Sequence, residues 1–212
     1  MKIAIVKLSA LGDIIHAMVV LQFIKKYNQA VKVDWVIEEA YKDLLKAHPD
    51  INNIITLNIK KAKKHKSFYL LYKELKKLRS LGPYDLVIDM QSLIKSAIIS
   101  RIMPSKLTLG FDSSSSRESL ASIFYNKTYK LPYDNNVIER NIKLISFALD
   151  LSVNLEELNY KLPFLYSKIA PVLRCDCARI SINNLVCGNV GITLMYTIFS
   201  NFSFSLPPSF TR

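Results

Sequence analysis

The first 165 or so residues alternate between short apolar runs of strand length and longer segments with apolar residues at helical spacing, which restricts the chain to few architectures. Lys2–Leu8 (KIAIVKL), Val31–Ile37 (VKVDWVI), Ile54–Leu57, Leu86–Met90 (LVIDM) and Leu107–Phe111 read as strands. Between them Ile14–Tyr27, Tyr41–Ala47, Ser67–Leu81 and Leu93–Ile102 read as helices, with Arg117–Tyr125 and Asn136–Leu151 helical after the last strand. Lys25 and Lys26 sit where cations suit a helix carboxyl end, and Gly82-Pro83 is a strong stop signal. Such alternation predicts an α/β fold, a mainly parallel sheet with helices on both faces. Ligands of such folds bind at the carboxyl ends of the strands.

Half of the residues are hydrophobic and 22% are charged, which fits a globular chain with a real core. The formal net charge of +12 points to an anionic partner, whether nucleic acid, membrane surface or phosphorylated small molecule. Lys7 and Asp13 interrupt the opening apolar run and no small-residue cleavage site follows, so a signal peptide is not expected and a cytoplasmic location is. Cys175, Cys177 and Cys187 give neither a disulfide framework nor zinc spacing, and no metal is expected.

The last stretch differs in composition. Tyr166–Arg212 carries 5 charges in 47 residues against 41 in the preceding 165, and Ile180–Thr211 carries none. Val190–Phe204 is too short and too polar for a transmembrane helix. The expected division is a Rossmann-like domain over residues 1–160 and an aberrant, poorly ordered tail over 161–212.

Asp13 stands at the first strand-to-helix corner, where a carboxylate serves either as a helix cap or as a catalytic base. Gly12 before it allows a tight turn, and His16 follows one helical turn later. The loop contains neither G-x-G-x-x-G nor G-x-x-x-x-G-K-[ST], so a dinucleotide fingerprint and a P-loop are both absent. Ile59–Arg79 holds nine Lys or Arg against one acid, Glu74. Its first part, Lys60–Lys66, is expected as an exposed, mobile loop suited to phosphates or carboxylates. Phe68, Tyr69 and Tyr72 have the spacing of a core-facing helix stripe rather than a base-stacking platform. Asp89–Ala97 (DMQSLIKSA) and Gly110–Ser119 (GFDSSSSRES) put further polar groups at two more strand-to-helix corners, with Ser116 and Ser119 as candidate helix caps. Three polar corners on one sheet edge favour a site. No D-x-D is present for a metal–diphosphate clamp.

Taken in order, KLSALGDIIH, DWVIEE, HPDINNII, YDLVIDMQSLIKSA, GFDSSSSRESLASIFYNK and VIER resemble the lipopolysaccharide heptosyltransferases of type I, in glycosyltransferase family 9. The resemblance spans roughly residues 1–150. It implies the N-terminal half of a GT-B fold, which holds the acceptor, Kdo-lipid A, while a second Rossmann-like domain holds the donor, ADP-L-glycero-D-manno-heptose. It also implies a peripheral enzyme of lipopolysaccharide inner-core synthesis on the cytoplasmic side of the inner membrane, with no cofactor and no nucleic-acid partner. By the same resemblance Asp13, in S-x-x-G-D, is the catalytic base of an inverting transfer. Lys60, Lys61, Lys63 and Lys64 match the family's basic acceptor-gripping loop, with Lys where the family often has Arg and so without bidentate geometry. Arg117 matches the arginine of the S-A-R-E segment, and Ser9, Ala10, Gly12, His16 and Gln91 are possible cleft residues. Ser116 and Ser92 depart from the family's alanine and frequent glycine, and Asn136 stands where a histidine is common. The resemblance stops near Tyr160, and the threonine-rich phosphate loop and D-T-G-x-x-H segment of the donor domain are not found. The expectation is therefore a chain of doubtful activity, truncated or frame-shifted. The alternatives are a non-catalytic acceptor-binding domain or a basic nucleic-acid-binding α/β protein.

Overall fold

The computed structural model describes residues 1–46 and 48–152 of the 212-residue chain. The expected boundary near residue 160 and the tail of residues 161–212 lie outside the described residues. The described residues form six strands, β1 (Lys2–Val6), β2 (Lys32–Glu38), β3 (Asn53–Leu57), β4 (Tyr84–Asp89), β5 (Ser105–Phe111) and β6 (Lys127–Tyr129). The helices are α1 (Leu11–Met18), α2 (Val20–Tyr27), α3 (Ile59–Lys64), α4 (Phe68–Arg79), α5 (Ile94–Ile102) and α6 (Val137–Leu149). All neighbouring strands pair in parallel, in the order β3-β2-β1-β4-β5-β6. The chain thus winds outward in one direction from β1 and then in the other from β4. The strand order reverses between β1 and β4, and open sheets of this kind have a crevice at the carboxyl ends there.

The two-residue period of a strand explains the layering. Ile3 and Ile5 join Trp35, Ile88 and Phe111 in one apolar layer with Ile14, Leu21, Ile24, Leu144 and Ile145 of α1, α2 and α6. Ala4 and Val6 face the other way, into a layer with Val36, Leu57 and Val87, closed by Leu78 of α4 and Ile99 of α5. Strands buried on both faces carry unbroken apolar runs, which is why the strands were readable as such.

Several expectations need correction. The helix foreseen over Ile14–Tyr27 starts at Leu11 and is interrupted at Val19. Tyr41–Ala47 is replaced by a 3-10 segment at Glu39–Leu44, and Arg117–Tyr125 by one at Ser119–Phe124. β6 was not foreseen, because three residues, Lys-Thr-Tyr, are too few to show a period. Lys60–Lys64 is not an irregular loop but most of α3, since Ala62 gives that turn a buried contact. Phe68, Tyr69 and Tyr72 do not face the core: they are 87%, 73% and 61% exposed. The face of α4 that packs inward carries Leu75 and Leu78 instead.

Candidate active site

Lys7 ends the first apolar run, one residue beyond β1, and its side chain turns inward. It is 5% exposed. Its Nζ donates to the Met90 carbonyl at 2.9 Å, across the crevice between β1 and β4. The same Nζ lies 4.0 Å from Asp13 Oδ2. Burial holds the Lys7 pKa below its ordinary value, while Asp13 and Asp89 pull it back up and Arg140 adds to the lowering. An ammonium with little water around it needs a carboxylate close by, and Asp13 supplies one.

Asp13 occupies the first turn of α1, where the helix dipole favours an anion. It is not the cap. The N-cap is Ala10, whose side chain makes no capping bond. The Asp13 side chain is 47% exposed, so its carboxylate is open to a substrate hydroxyl. Gly12 also lies within α1, and the positive φ among the described glycines belongs to Gly82, not to Gly12. His16 is half-buried with Nδ1 enclosed and without a hydrogen bond. Burial lowers its pKa, partly offset by Asp13, so the ring stays neutral at neutral pH.

A hydrogen-bond chain ties together three loops at the carboxyl edge. Gln91 Oε1 accepts from the Leu8 and Ser9 amides at 3.1 and 3.2 Å, joining the β1–α1 loop to the β4–α5 loop. Gln91 is itself fixed by Asp89, whose Oδ1 accepts from the Gln91 amide at 2.7 Å and the Ser92 amide at 3.3 Å. The Tyr125 hydroxyl donates to Asp89 Oδ2 at 2.8 Å. Asp89 is fully buried. Burial raises its pKa, against the pull of hydrogen bonds from Ser96, Gln91, Tyr125 and Ser92. The Tyr125 ring packs closely against Gly110, where a Cβ would come within 2.4 Å of ring carbons. Only glycine admits the ring there.

The third loop, after β5, joins through Glu118. Its amide donates to the Ser92 carbonyl at 3.4 Å, and its Oε2 accepts from the Ile94 amide at 2.6 Å, at the start of α5. Arg117, immediately before it, is exposed. The serine run beside it is internal wiring rather than helix capping. Ser115 N donates to Asp112 Oδ1 at 2.8 Å, Ser115 Oγ accepts from the Leu131 amide, and Ser116 Oγ donates to the Phe111 carbonyl. The residue preceding the 3-10 segment is Glu118, not Ser116 or Ser119. Arg140 of α6 underpins this loop. Its guanidinium donates to the carbonyls of Ser115 (2.6 Å), Pro132 (2.8 Å) and Leu131 (3.4 Å), and lies over the Phe111 ring. Asn136, where the family often has histidine, caps α6 by accepting from the Ile138 amide.

The four lysines lie on the other side of Asp13, following β3. Lys60, Lys61, Lys63 and Lys64 are exposed on α3. The Lys60 amide donates to Glu38 Oε1 at 2.8 Å, which anchors α3 to the end of β2, and its Nζ lies 5.1 Å from the Tyr41 ring centre. β3 and β5 each lie two strands from β1, and neighbouring strands are about 4.8 Å apart. The lysine cluster and the Arg117 loop therefore spring from strands roughly 10 Å to either side of the one that carries Asp13. Among the described residues no group of His, Cys, Asp and Glu is arranged to hold a metal ion.

The sequence reading placed Asp13, Gln91, Ser9 and Arg117 on one edge, and the structure brings their loops together. Asp89 belonged to one of the polar corners foreseen, but Lys7, Tyr125 and Arg140 were not foreseen beside it. A lone lysine closing an apolar strand was the available signal for Lys7. The Asp89–Tyr125 bond links residues 36 apart and left no local pattern.

The parallel sheet and its strand order are those of a Rossmann-like, doubly wound α/β domain, with a crevice at the strand-order reversal. A likeness in fold extends to the Escherichia coli ADP-heptose heptosyltransferase II, at 19% identity and a TM-score of 0.56 over 85% of this chain and 51% of that one. Residues 71–166 match the model of glycosyltransferase family 9 (heptosyltransferase). Its relatives include lipopolysaccharide heptosyltransferase 1 of Campylobacter coli, 42% identical over 161 residues, covering 76% of this chain and 45% of the relative. That of Pseudomonas aeruginosa is 33% identical over 153 residues, covering 71% and 43%. The solved structure of Escherichia coli heptosyltransferase WaaC with ADP-2-deoxy-2-fluoro heptose superimposes with a TM-score of 0.70 at 30% identity, over 76% of this chain and 52% of that one. The chain thus spans less than half the length of these two curated relatives.

Proposed function

We propose that this chain is the acceptor-binding part of a lipopolysaccharide heptosyltransferase 1, acting on L-glycero-D-manno-heptose carried by ADP and on Kdo-lipid A at the cytoplasmic face of the inner membrane. One observation carries the reading: an accessible Asp13 carboxylate stands beside the buried Lys7 ammonium, 4.0 Å away, at the strand-order reversal. The supporting likeness is to Campylobacter coli lipopolysaccharide heptosyltransferase 1, and a solved relative, WaaC, was obtained with an ADP-heptose analogue.

In this reading Asp13 takes the proton from an acceptor hydroxyl as that oxygen bonds to the anomeric carbon. The bond from that carbon to the diphosphate breaks on the opposite face, and its electron pair leaves with ADP. A single displacement inverts the anomeric centre, as with base-activated water in inverting glycosidases. Lys7, 4.0 Å away, positions the carboxylate. The lysines of α3 and Arg117 flank the base and suit the carboxylates and phosphates of an anionic glycolipid.

The test is to mix the chain with ADP-heptose and Kdo-lipid A, following ADP release and the mass of the glycolipid. Transfer that Asp13→Asn lowers by about 10²-fold or more supports the assignment. Binding of Kdo-lipid A without ADP release assigns this chain the acceptor-binding role alone. Binding that survives neutralisation of Lys60, Lys61, Lys63 and Lys64 to Gln refutes their part in it.

A further inference from the structure

The α4 surface is at odds with an ordinary solvated helix. Phe68, Tyr69 and Tyr72 are 87%, 73% and 61% exposed. At 100° per residue, Phe68, Tyr72, Lys76, Tyr69 and Lys73 fall in that order within an arc of roughly 140°. Leu75 and Leu78 lie outside this arc and pack against the layer containing Val6, Leu57 and Val87, so the aromatic arc faces away from the core. Ser67 fixes where the arc begins by accepting from the Leu70 amide at 3.3 Å.

The surroundings of the rings are cationic. α3, directly before α4, exposes Lys60, Lys61, Lys63 and Lys64, and Lys66 is exposed between the two helices. Glu74, the one acid of Ile59–Arg79, lies off the aromatic arc and has one carboxylate oxygen enclosed. A partner for this face must accept apolar rings and compensate several positive charges at once.

We infer that the exposed aromatic face of α4, with the lysines beside it, seats on an anionic lipid bilayer. Phenylalanine enters the acyl boundary, while tyrosine keeps its hydroxyl at the headgroups. Lysines on the flanks are drawn by the negative surface potential. Nucleic acid offers charge and stacking too. The choice of lipid rests on the function proposed above, in which the acceptor is a glycolipid and α3 grips its anionic part. Among the described residues no helix is long and apolar enough to cross a membrane, and seating on the surface needs none.

The test is flotation of the full chain with vesicles of phosphatidylcholine alone or mixed with phosphatidylglycerol. No Kdo-lipid A is present, so this result and the acceptor assay fail independently. The parent chain is expected to float with the anionic vesicles and to be released by salt. The triple variant Phe68→Ser, Tyr69→Ser, Tyr72→Ser is expected to lose at least about tenfold in partition, with unchanged circular dichroism and Tm. Lys73→Gln with Lys76→Gln is expected to lower partition into anionic vesicles only. Undiminished partition of the triple variant overturns the inference. So does a lowered Tm at undiminished partition, which would mean that the chain covers its own rings. A dimer or a nucleic-acid gel shift abolished by the variant at undiminished partition likewise overturns it in favour of that partner.

Discussion

Replacing Tyr125 with Phe removes one oxygen and little volume, which isolates the bond bracing the candidate site. The lost interaction is the 2.8 Å hydrogen bond from the Tyr125 hydroxyl to Asp89 Oδ2. Asp89 is fully buried, so no bulk water replaces the donor. A hydrogen bond to a charged group contributes about 1.5–3 kcal/mol, and the stranded oxygen keeps the loss near that range. For a chain of this size each kcal/mol moves Tm by about 2–4 °C, so the expected drop at pH 8 is roughly 3–12 °C. The pH dependence gives a second handle. Burial raises the Asp89 pKa in the fold, so the native state holds its proton where the unfolded chain has released it. Its contribution is complete below the unfolded value of about 4 and is lost as pH rises through the raised folded value. Tyr125 supports the ionised form, so the cost of Tyr125→Phe grows with pH. Differential scanning calorimetry of both chains at pH 4.5 and pH 8 measures this. A Tm difference below about 1 °C at pH 8, or a larger difference at pH 4.5, would refute the reasoning.

Gly110→Ala forces a methyl against the Tyr125 ring, at 2.4 Å before relaxation, and is expected to cost about 2–3 kcal/mol in urea unfolding. That cost should overlap with Tyr125→Phe rather than add to it, as a double-mutant cycle will show. Burial lowers the His48 pKa to about 4, so protonation favours the unfolded chain as pH falls from about 6.5 toward 4. His48→Gln should flatten that acid limb by up to about 3 kcal/mol, read from urea midpoints across the range. Lys7→Met removes both a buried cation and its bond to the Met90 carbonyl. The two effects oppose one another, so stability at pH 7 is expected to stay within about 1 kcal/mol of the parent by urea unfolding. A loss above about 3 kcal/mol would show that the ammonium is needed for the fold itself.

The doubly buried strands and the packed helices were legible because a continuous apolar run and a helical stripe each have one economical way to bury themselves. Tertiary context decided the remainder. Phe68, Tyr69 and Tyr72 share the spacing of a core stripe, yet Leu75 and Leu78 take the inward positions. Lys60–Lys64 had the composition of a loop, and one buried alanine made it a helix. At the site, Asp13 was visible from its place at the end of the first strand. The partner that orients it was not. Lys7 reads as part of the strand until the sheet is assembled and its ammonium is found under the Met90 carbonyl.

Arg140 adds a mechanical consequence. Its side chain belongs to α6, but its hydrogen bonds reach Ser115, Leu131 and Pro132. Helix and loop are thereby geared: through the Ser115 bond α6 cannot roll or slide without dragging the segment that leads to Arg117, while the Leu131 and Pro132 bonds tie it to the stretch between β6 and α6. A displacement of α6 would thus reach the edge of the crevice opposite the α3 lysines.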